Sequence, residues 1–314
     1  MSPRPALHPL LRTFSLPAAL CVAAAAHGGD PIVIGTIAAD RSADCGTIDF
    51  SFVAGGYFST VRSALDSNAN FGAGGIVGRD IVFAPPISVV TNEALQGIDI
   101  LFVTPVQPAL GSCEVAAIGN FLAAGGGVFA FANDAAANLA PIVGASAGPT
   151  GSGSGVVLPG RPMSAGPFGK VTGQYGLSFH RVFGSLGKSG QPCLQSNGVV
   201  AAAFTRGLGR LIIVNDEEWC GDQSLDGCAV SWMPSAPRLT MFLNAVAWVT
   251  PSSSFTFVEP GPTPDLDCDG DVDAFDLAIL LNAWGTCTGC RADIDRDGQV
   301  NGQDLAILLV NWSA

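Results

Sequence analysis

The C-terminal part of the chain contains one twelve-residue pattern twice, as DLDCDGDVDAFD at residues 265–276 (loop 1) and DIDRDGQVNGQD at residues 293–304 (loop 2). In each copy, oxygen-bearing side chains stand at positions 1, 3, 5, 9 and 12, and a glycine stands at position 6. With this spacing a loop can wrap around a hard cation of the size of calcium, and the glycine permits the sharp turn. The pattern therefore predicts two calcium-binding loops.

Each position of such a loop has a defined role. The carboxylates at positions 1, 3 and 5 approach the ion from one side, and the backbone carbonyl of position 7 adds a ligand. Position 9 often binds through water, and position 12 closes the coordination sphere with both of its oxygens. The predicted ligands of the two calcium ions are Asp265, Asp267, Asp269, Asp271, Asp273 and Asp276 in loop 1 and Asp293, Asp295, Asp297, Gln299, Asn301 and Asp304 in loop 2.

Each loop leads into a nearly identical apolar segment, DLAILLNAW at residues 276–284 and DLAILLVNW at residues 304–312. This pattern predicts one helix after each loop. Two such loop–helix halves can pack antiparallel about a pseudo-twofold axis, with Val272 and Val300 at position 8 packing the loops together. The predicted apolar stripes consist of Leu277, Leu281 and Trp284 in the first helix and of Leu305, Leu309 and Trp312 in the second.

Residues 265–312 resemble a type I dockerin, because Asp276 and Asp304 stand at position 12, where an EF-hand has glutamate. The resemblance implies a small all-α domain, calcium-dependent folding and docking onto a cohesin-type domain or a cell-surface scaffold. Dockerins often carry Ser-Thr at positions 10 and 11 for partner contact, whereas this chain has Ala274-Phe275 and Gly302-Gln303. The partner is therefore not identified. The alternative is a calcium-stabilised C-terminal cap with a purely structural role.

Composition indicates a folded, acidic chain. Apolar residues make up 48% of the 314 residues, charged residues 13%, and the formal net charge is −12. Residues 265–314 carry ten aspartates against two arginines. An acidic solvated tail is a poor explanation, because an apolar segment follows each aspartate cluster. The absence of basic patches in the sequence argues against a nucleic-acid partner.

The N-terminus has the pattern of a secretion signal over residues 1–26. Arg4 and Arg12 form a basic start, residues 14–26 are apolar, and the small residues 24–26 offer a cleavage site before His27. The apolar run is too short to span a membrane. We therefore expect a secreted protein without a transmembrane segment in the mature chain. The alternative is a frayed apolar N-terminal helix.

Eight cysteines remain after removal of the predicted signal, and an even number in an exported chain favours disulfides. Cys220 with Cys228 and Cys287 with Cys290 are candidate local pairs, although the sequence leaves the full connectivity open. A zinc site is the weaker interpretation, because the chain contains almost no histidine.

The mature chain divides into a body at residues 27–250, a linker at 251–264 and the calcium repeats at 265–314. The linker sequence, PSSSFTFVEPGPTP, is typical of a semi-rigid extended spacer. In the body, the apolar run IDILFVT at residues 98–104 predicts a buried strand. A helix capped by Ser112, a strand at 128–132, loops or a hairpin at 144–169, a strand at 211–214 and a helix at 238–249 follow. The alternation predicts a three-layer α/β domain with a mainly parallel sheet.

Carboxylates follow two of the predicted strands, where open parallel sheets bind ligands. Asp134 follows the strand at 128–132, and Asp216 and Glu217 follow the strand at 211–214. These three are the weak catalytic candidates of the body, suited to acid–base work or cation binding. The alternative is that they cap helices or lie in a solvated loop.

The segments IDILFVTP (98–105), FLAAGGGVFAFA (121–132) and GRLIIVNDEEW (209–219) resemble the flavodoxin-like class I glutamine-amidotransferase-like superfamily. In that family a catalytic cysteine follows the strand that ends here at Ala132, but this chain has Asn133 and Asp134. The family's His-x-Glu is also missing from NDEEW. The resemblance therefore implies the fold and argues against the enzyme. Two functions stay open: a secreted attachment protein with a non-catalytic body, or a secreted hydrolase, acting on the glycosyl bonds of polysaccharides, anchored by the calcium repeats.

Overall fold

The structure is a computed structural model that describes residues 29–42, 44–45, 48–222, 235–252, 257, 261, 263–287 and 289–313. The predicted signal at residues 1–26 and Cys228 lie outside these residues. Among the residues described, no helix is both long and apolar enough to cross a membrane.

The secondary structure comprises short strands and helices of moderate length. The strands are β1 (Ile32–Thr36), β2 (Asp44–Cys45), β3 (Ile48–Asp49), β4 (Ile81–Phe83), β5 (Ile100–Val103), β6 (Gly127–Phe131), β7 (Ser146–Val157), β8 (Ala165–Gly166), β9 (Gly169–Lys170), β10 (Gln174–Ser185), β11 (Gln191–Gln195), β12 (Val199–Arg206), β13 (Gly209–Val214), β14 (Gly285–Thr286) and β15 (Gln299–Val300). The helices are α1 (Ser59–Leu65), α2 (Ser112–Ala124), α3 (Ala135–Leu139), α4 (Ala236–Val249), α5 (Ala274–Asn282) and α6 (Gly302–Val310), with 3₁₀ turns at Ala140–Val143 and Glu218–Cys220.

The body is built on a nine-stranded sheet whose central part is parallel. Strands β4, β1, β5, β6 and β13 lie side by side in that order, and each neighbouring pair is parallel. Counted along the chain, these five strands have the order 2-1-3-4-5, which is the flavodoxin order. The predicted α/β body with a mainly parallel, flavodoxin-like sheet is thus confirmed.

Burial on both faces explains why the central strands are continuous apolar runs. The side chains of β5 and β6 are fully buried, with alternate residues pointing to opposite faces. On one face, Phe102 and Phe131 pack with Phe242 of α4. On the other face, Leu101 packs in a cluster with Phe121 of α2. The helices therefore form a layer on each side of the sheet.

An antiparallel extension makes one side of the sheet wider than the sequence suggests. Strands β12, β11, β7 and β10 continue from β13, each antiparallel to its neighbour. Residues 146–157, for which we expected loops or a hairpin, form the twelve-residue strand β7. The prediction failed because glycine is a weak strand former, yet here it permits close packing. A Cβ at Gly155 would lie 2.7 Å from Leu177 Cδ1.

The C-terminal domain has two helices, α5 and α6, and a two-stranded ribbon formed by β14 and β15. Its two halves are related by an internal symmetry with the 28-residue period of the sequence. Gly285, after α5, pairs with Val300 of loop 2, and Ser313, after α6, donates its amide to Val272 of loop 1 at 2.9 Å. The apolar core between the halves consists of Leu266, Val272, Leu280, Ala292, Ile294, Val300 and Leu308.

The exposed apolar side chains of α5 and α6 include members of the predicted apolar stripes. Leu280 and Leu308 are fully buried, while Leu281 and Leu309, one residue further on, are about half exposed. The same holds for Trp284 and Trp312, which lie just beyond the helices. These helices are apolar on both their buried and their outer faces, so periodicity alone does not identify the buried face.

Helix α2 of the body contacts both the predicted linker and the C-terminal domain. Phe257, in the predicted linker, is buried and packs edge-on against Phe121 of α2, with 5.7 Å between ring centroids. Cys113 of α2 forms a disulfide with Cys268 of loop 1. The predicted spacer is therefore held against the body at Phe257, and α2 contacts both the linker and the calcium repeats.

Candidate metal centre

Each loop gathers three carboxylates. The side chains at positions 1, 3 and 5 offer oxygens that all lie within 4.8 Å of one another, both for Asp265, Asp267 and Asp269 in loop 1 and for Asp293, Asp295 and Asp297 in loop 2. Carboxylates at such separations repel each other unless a cation lies between them. The predicted ligands at these positions thus lie together in both loops.

Hydrogen bonds from the loop's own amides orient these carboxylates. Asp265 Oδ2 accepts from the amide of Gly270 at 3.2 Å, and Asp269 Oδ1 accepts from the amide of Asp271 at 3.0 Å. In loop 2 the equivalent distances are 2.9 Å to Asp293 Oδ2 and 2.9 Å to Asp297 Oδ1. These bonds leave other lone pairs of each carboxylate available for an ion.

The backbone turns at the same two positions in both loops. Position 6 is glycine with φ of 103° in loop 1 and 90° in loop 2. Position 4 also takes positive φ, with 61° at Cys268 and 62° at Arg296. In the part of the chain that the structure describes, these two are the non-glycine residues with positive φ. Because a side chain disfavours this conformation by about 1–2 kcal/mol, the folded loop must stabilise it.

Position 12 anchors each loop to its helix. Asp276 and Asp304 are fully buried. Asp276 accepts three backbone amides, from Leu266 at 2.5 Å, Asp267 at 3.2 Å and Asp273 at 2.7 Å. Burial alone would raise the pKa of both carboxyls, but such amide hydrogen bonds outweigh it and hold each pKa below its usual value. Position 12 therefore stays ionised, as a ligand must, and its two-oxygen binding mode stays a prediction.

The remaining predicted ligands have less burial. The side chains at position 7, Asp271 and Gln299, are exposed, as expected where only the backbone carbonyl is a ligand. Those at position 9 cap the following helices: Asp273 accepts from the amide of Phe275 at 2.8 Å, and Asn301 does the same at the start of α6.

Two electrostatic observations fit a bound cation. Asp265 Oδ1 is buried and has no hydrogen-bond partner among the described residues, although it belongs to the carboxylate cluster. Desolvation, together with the neighbouring loop carboxylates, raises the pKa of Asp267 and of Asp295. A divalent cation would satisfy the buried oxygen and cancel the repulsion that raises these pKa values. The residues present therefore fit calcium.

The body's candidate carboxylates each serve a local structural contact. Asp134 is exposed and pairs with Arg181 at 2.9 Å. Asp216 is buried and accepts from the amide of Trp219 at 3.1 Å, which caps a 3₁₀ turn. Glu217 is buried and accepts from both nitrogens of Asn133, at 2.7 Å from the amide and 2.9 Å from Nδ2. Glu217 thus bridges the carboxyl ends of β13 and β6.

Ionisable groups at this buried end of β13 have pKa values that differ from their ordinary values. Desolvation, with a contribution from Glu218, raises the pKa of Glu217 to about 8. Desolvation also raises the pKa of Tyr57 and lowers that of Arg238, which donates to the carbonyl of Trp219 at 2.8 Å. Sequence reasoning did not identify Tyr57 or Arg238, since they come from distant segments of the chain.

The cysteine pairing agrees in part with expectation. The predicted disulfide between Cys287 and Cys290 is present. Cys220 is a free, buried thiol among the described residues, and its expected partner Cys228 lies outside them, so that pairing stays a prediction. The residue is buried under the strand end, and burial raises the pKa of its thiol. The disulfide between Cys113 and Cys268 joins residues 155 positions apart, a distance over which spacing along the chain gives no signal.

Two loop–helix repeats with clustered carboxylates at positions 1, 3 and 5 define an EF-hand-like calcium module. Residues 263–310 match the model of the type I dockerin domain. Dockerin domains bind calcium, and the C-terminal domain of this chain is a domain of that type. A comparison with curated protein sequences finds no match.

Among solved structures, this chain is similar to proteins of several kinds. One is a ThuA-like protein from Bacteroides uniformis, with 14% identity, a TM-score of 0.44, and coverage of 77% of this chain and 99% of that one. Another is a cytoplasmic protein from Salmonella typhimurium, with 10% identity, a TM-score of 0.45, and coverage of 72% and 100%. A third is an exo-beta-1,4-mannosidase from an Opitutaceae bacterium, with 11% identity, a TM-score of 0.39, and coverage of 60% and 31%.

Proposed function

We propose that residues 265–314 form an attachment module that folds around two calcium ions and docks the protein onto a cohesin-type domain or a cell-surface scaffold. The observation that carries this proposal is the repeated cluster of three carboxylates, each followed by a helix whose first turn contains the buried position-12 aspartate. Dockerin domains bind cohesin partners, and residues 263–310 match that domain.

The outer surface of α5 and α6 supports docking. Phe275, at loop position 11, is 69% exposed, and Val310 is 86% exposed. Leu281, Leu309 and both tryptophans of the module add further exposed apolar area. Exposed apolar patches of this kind are typical of interaction surfaces, whereas a structural cap gains nothing from them.

The calcium proposal is tested by titrating the full-length chain with calcium and following both the heat and the far-ultraviolet circular dichroism. We expect two equivalents to bind, with a gain of helix that a chelator reverses. Asp269→Asn, at position 5, should weaken binding to loop 1 severely. Asp271→Asn is the matched control, because position 7 contributes only its backbone carbonyl and its side chain is exposed. Equal effects of the two variants would contradict the ligand assignment.

Docking is tested by measuring binding of the full-length chain to immobilised type I cohesin modules, with excess calcium or with a chelator. We expect calcium-dependent binding that Phe275→Ala weakens. Leu208→Ala, an exposed leucine of the body, should have no effect. If no cohesin module binds while two calcium ions do, the structural-cap alternative is the better one.

We further propose that the protein is secreted and that its body is non-catalytic. Export with cleavage before His27 would give a mature chain whose N-terminal sequence begins at that residue. The body's candidates Asp134, Asp216 and Glu217 each hold a local contact, which supports a structural role. The hydrolase alternative requires release of sugars from a polysaccharide by the purified chain, with activity lost in Glu217→Gln. We expect no release by either protein.

A further inference from the structure

Helix α2 of the body holds the first calcium loop at a position where the backbone has a positive φ. Cys113, the second residue of α2, forms the disulfide with Cys268, which is position 4 of loop 1. The neighbouring Ser112 donates its hydroxyl to the backbone carbonyl of Asp267, position 3. We call the disulfide and this hydrogen bond the clamp. It holds two consecutive residues of loop 1, one of them a predicted ligand.

The helix that carries the clamp is firmly anchored in the body. Glu114, next to Cys113, is buried and forms an ion pair with Arg41 at 3.0 Å. The same carboxylate accepts from the backbone amides of Val90 and Gly111, each at 3.0 Å. Phe121, two turns further along α2, is fully buried. A loop fixed to the first turn of α2 is therefore fixed to the core of the body.

The clamp acts on a residue with an unfavourable backbone conformation. Cys268 has a positive φ of 61°, which only glycine adopts without cost. The disulfide ties this residue to the body whether or not an ion is bound. In loop 2, Arg296 takes the same conformation with φ of 62° at the same loop position, and an arginine cannot form a disulfide. The molecule thus contains one loop that a disulfide ties to the body and one of similar design whose position 4 cannot be tied in this way.

We propose that Cys113 and Ser112 are positioning residues for calcium loop 1: the clamp preorganises this loop, so that the body raises the calcium affinity of loop 1 and leaves that of loop 2 unchanged. This rests on the proposed calcium binding by both loops. A preformed loop binds more tightly, because the cost of ordering it is not taken from the binding free energy.

A direct comparison of the two loops in the native chain is not decisive, because position 9 is aspartate in one and asparagine in the other. Each loop is therefore measured alone, with and without the clamp. Loop 2 is disabled by Asp295→Asn with Asp297→Asn, and loop 1 by Asp267→Asn with Asp269→Asn. The clamp is removed by Cys113→Ser with Cys268→Ser. Calcium alone is the probe, titrated calorimetrically into the full-length chain.

With loop 2 disabled, we expect removal of the clamp to raise the Kd of loop 1 by about tenfold, which corresponds to about 1.4 kcal/mol. With loop 1 disabled, removal of the clamp should change the Kd of loop 2 by less than about twofold. A change below twofold in loop 1, or an equal change in both loops, would overturn the proposal. If loop 1 binds no calcium even with the clamp intact, the proposed calcium function itself fails, and the two failures are thereby distinguished.

Two further measurements keep the proposal testable if the cysteine variant folds poorly. Peptide mapping of the native chain without reduction must recover the peptide pair that contains Cys113 and Cys268, and its absence would overturn the proposal. Ser112→Ala leaves the disulfide in place. It should raise the Kd of loop 1 about twofold and leave loop 2 unchanged, whereas a loss at loop 2 alone would count against the clamp.

Discussion

The buried carboxyl of Glu217 gives the body a pH-dependent stability that Glu217→Gln should remove. The side chain is 8% exposed, and burial raises its pKa from 4.5 to about 8. A raised pKa means that the folded state binds the proton more tightly than the unfolded chain does. The stabilisation by the protonated form is therefore complete below pH 4.5 and is lost as pH rises through 8.

The size of the effect follows from the shift. At 1.36 kcal/mol per pKa unit, the wild type should lose roughly 5 kcal/mol of its free energy of unfolding between about pH 4.5 and pH 9 through this group. Glutamine has nearly the same shape and stays neutral. Its carbonyl can accept from the backbone amide of Asn133, as Glu217 Oε2 does. The variant should therefore match the wild type near pH 5 and exceed it increasingly above pH 7.

The assay is urea denaturation at pH 5, 6.5, 8 and 9 in excess calcium, followed by tryptophan fluorescence. Trp219 lies two residues from Glu217 and is buried, so its emission reports unfolding of this region. Asp66→Asn is the control, because Asp66 is half exposed and forms a surface ion pair with Arg62. A difference between Glu217→Gln and the wild type that stays constant within about 0.5 kcal/mol across this pH range would refute the reasoning.

Three further predictions concern the calcium module. Leu308→Ala removes a fully buried side chain and should lower the free energy of unfolding by about 2–5 kcal/mol. Leu309 is 51% exposed, so Leu309→Ala should change the free energy of unfolding by less than about 0.5 kcal/mol. Thermal denaturation in excess calcium compares them, and similar losses would mean that the helix face is misassigned. Asp276→Ala should abolish the helical response to calcium, because position 12 orders three loop amides. Calcium affinity should fall as pH is lowered, because protons compete with calcium at Asp267 and Asp295, whose pKa values are raised. Calorimetric titration with calcium at pH 7 and pH 5 measures this, and an equal Kd at both pH values would contradict it.

Much of the fold was predictable because local pattern and tertiary structure agree. The runs at residues 100–103 and 127–131 are buried on both faces, so their continuous apolar character identifies central parallel strands. The strand at residues 146–157 was not predictable. Its sequence, SAGPTGSGSGVV, is rich in glycine and serine and has only Thr150 as a β-branched residue before Val156. It is a strand because the twelve-residue strand β10 pairs with it along most of its length.

The calcium loops were predictable because all their ligands lie within twelve consecutive residues, so spacing in sequence determines spacing in space. The contacts around Glu217 were not, since Asn133 lies 84 residues away along the chain. The same limit applies to the clamp. Cys113 and Cys268 meet only because the C-terminal domain packs at the start of α2, and a cysteine count shows that pairs exist without showing which cysteines pair.

The distribution of apolar side chains bears on whether the C-terminal domain is a structural cap or an attachment module. A cap of some fifty residues needs every apolar side chain for its own core, because small domains bury little surface. Here the core contains Leu280 and Leu308, while Trp284, Val310 and Trp312 lie at least 40% exposed on the outside. Large side chains on the outer surface of so small a domain add nothing to its stability and lower its solubility. These exposed side chains therefore favour a surface that a partner covers, as the proposed docking requires.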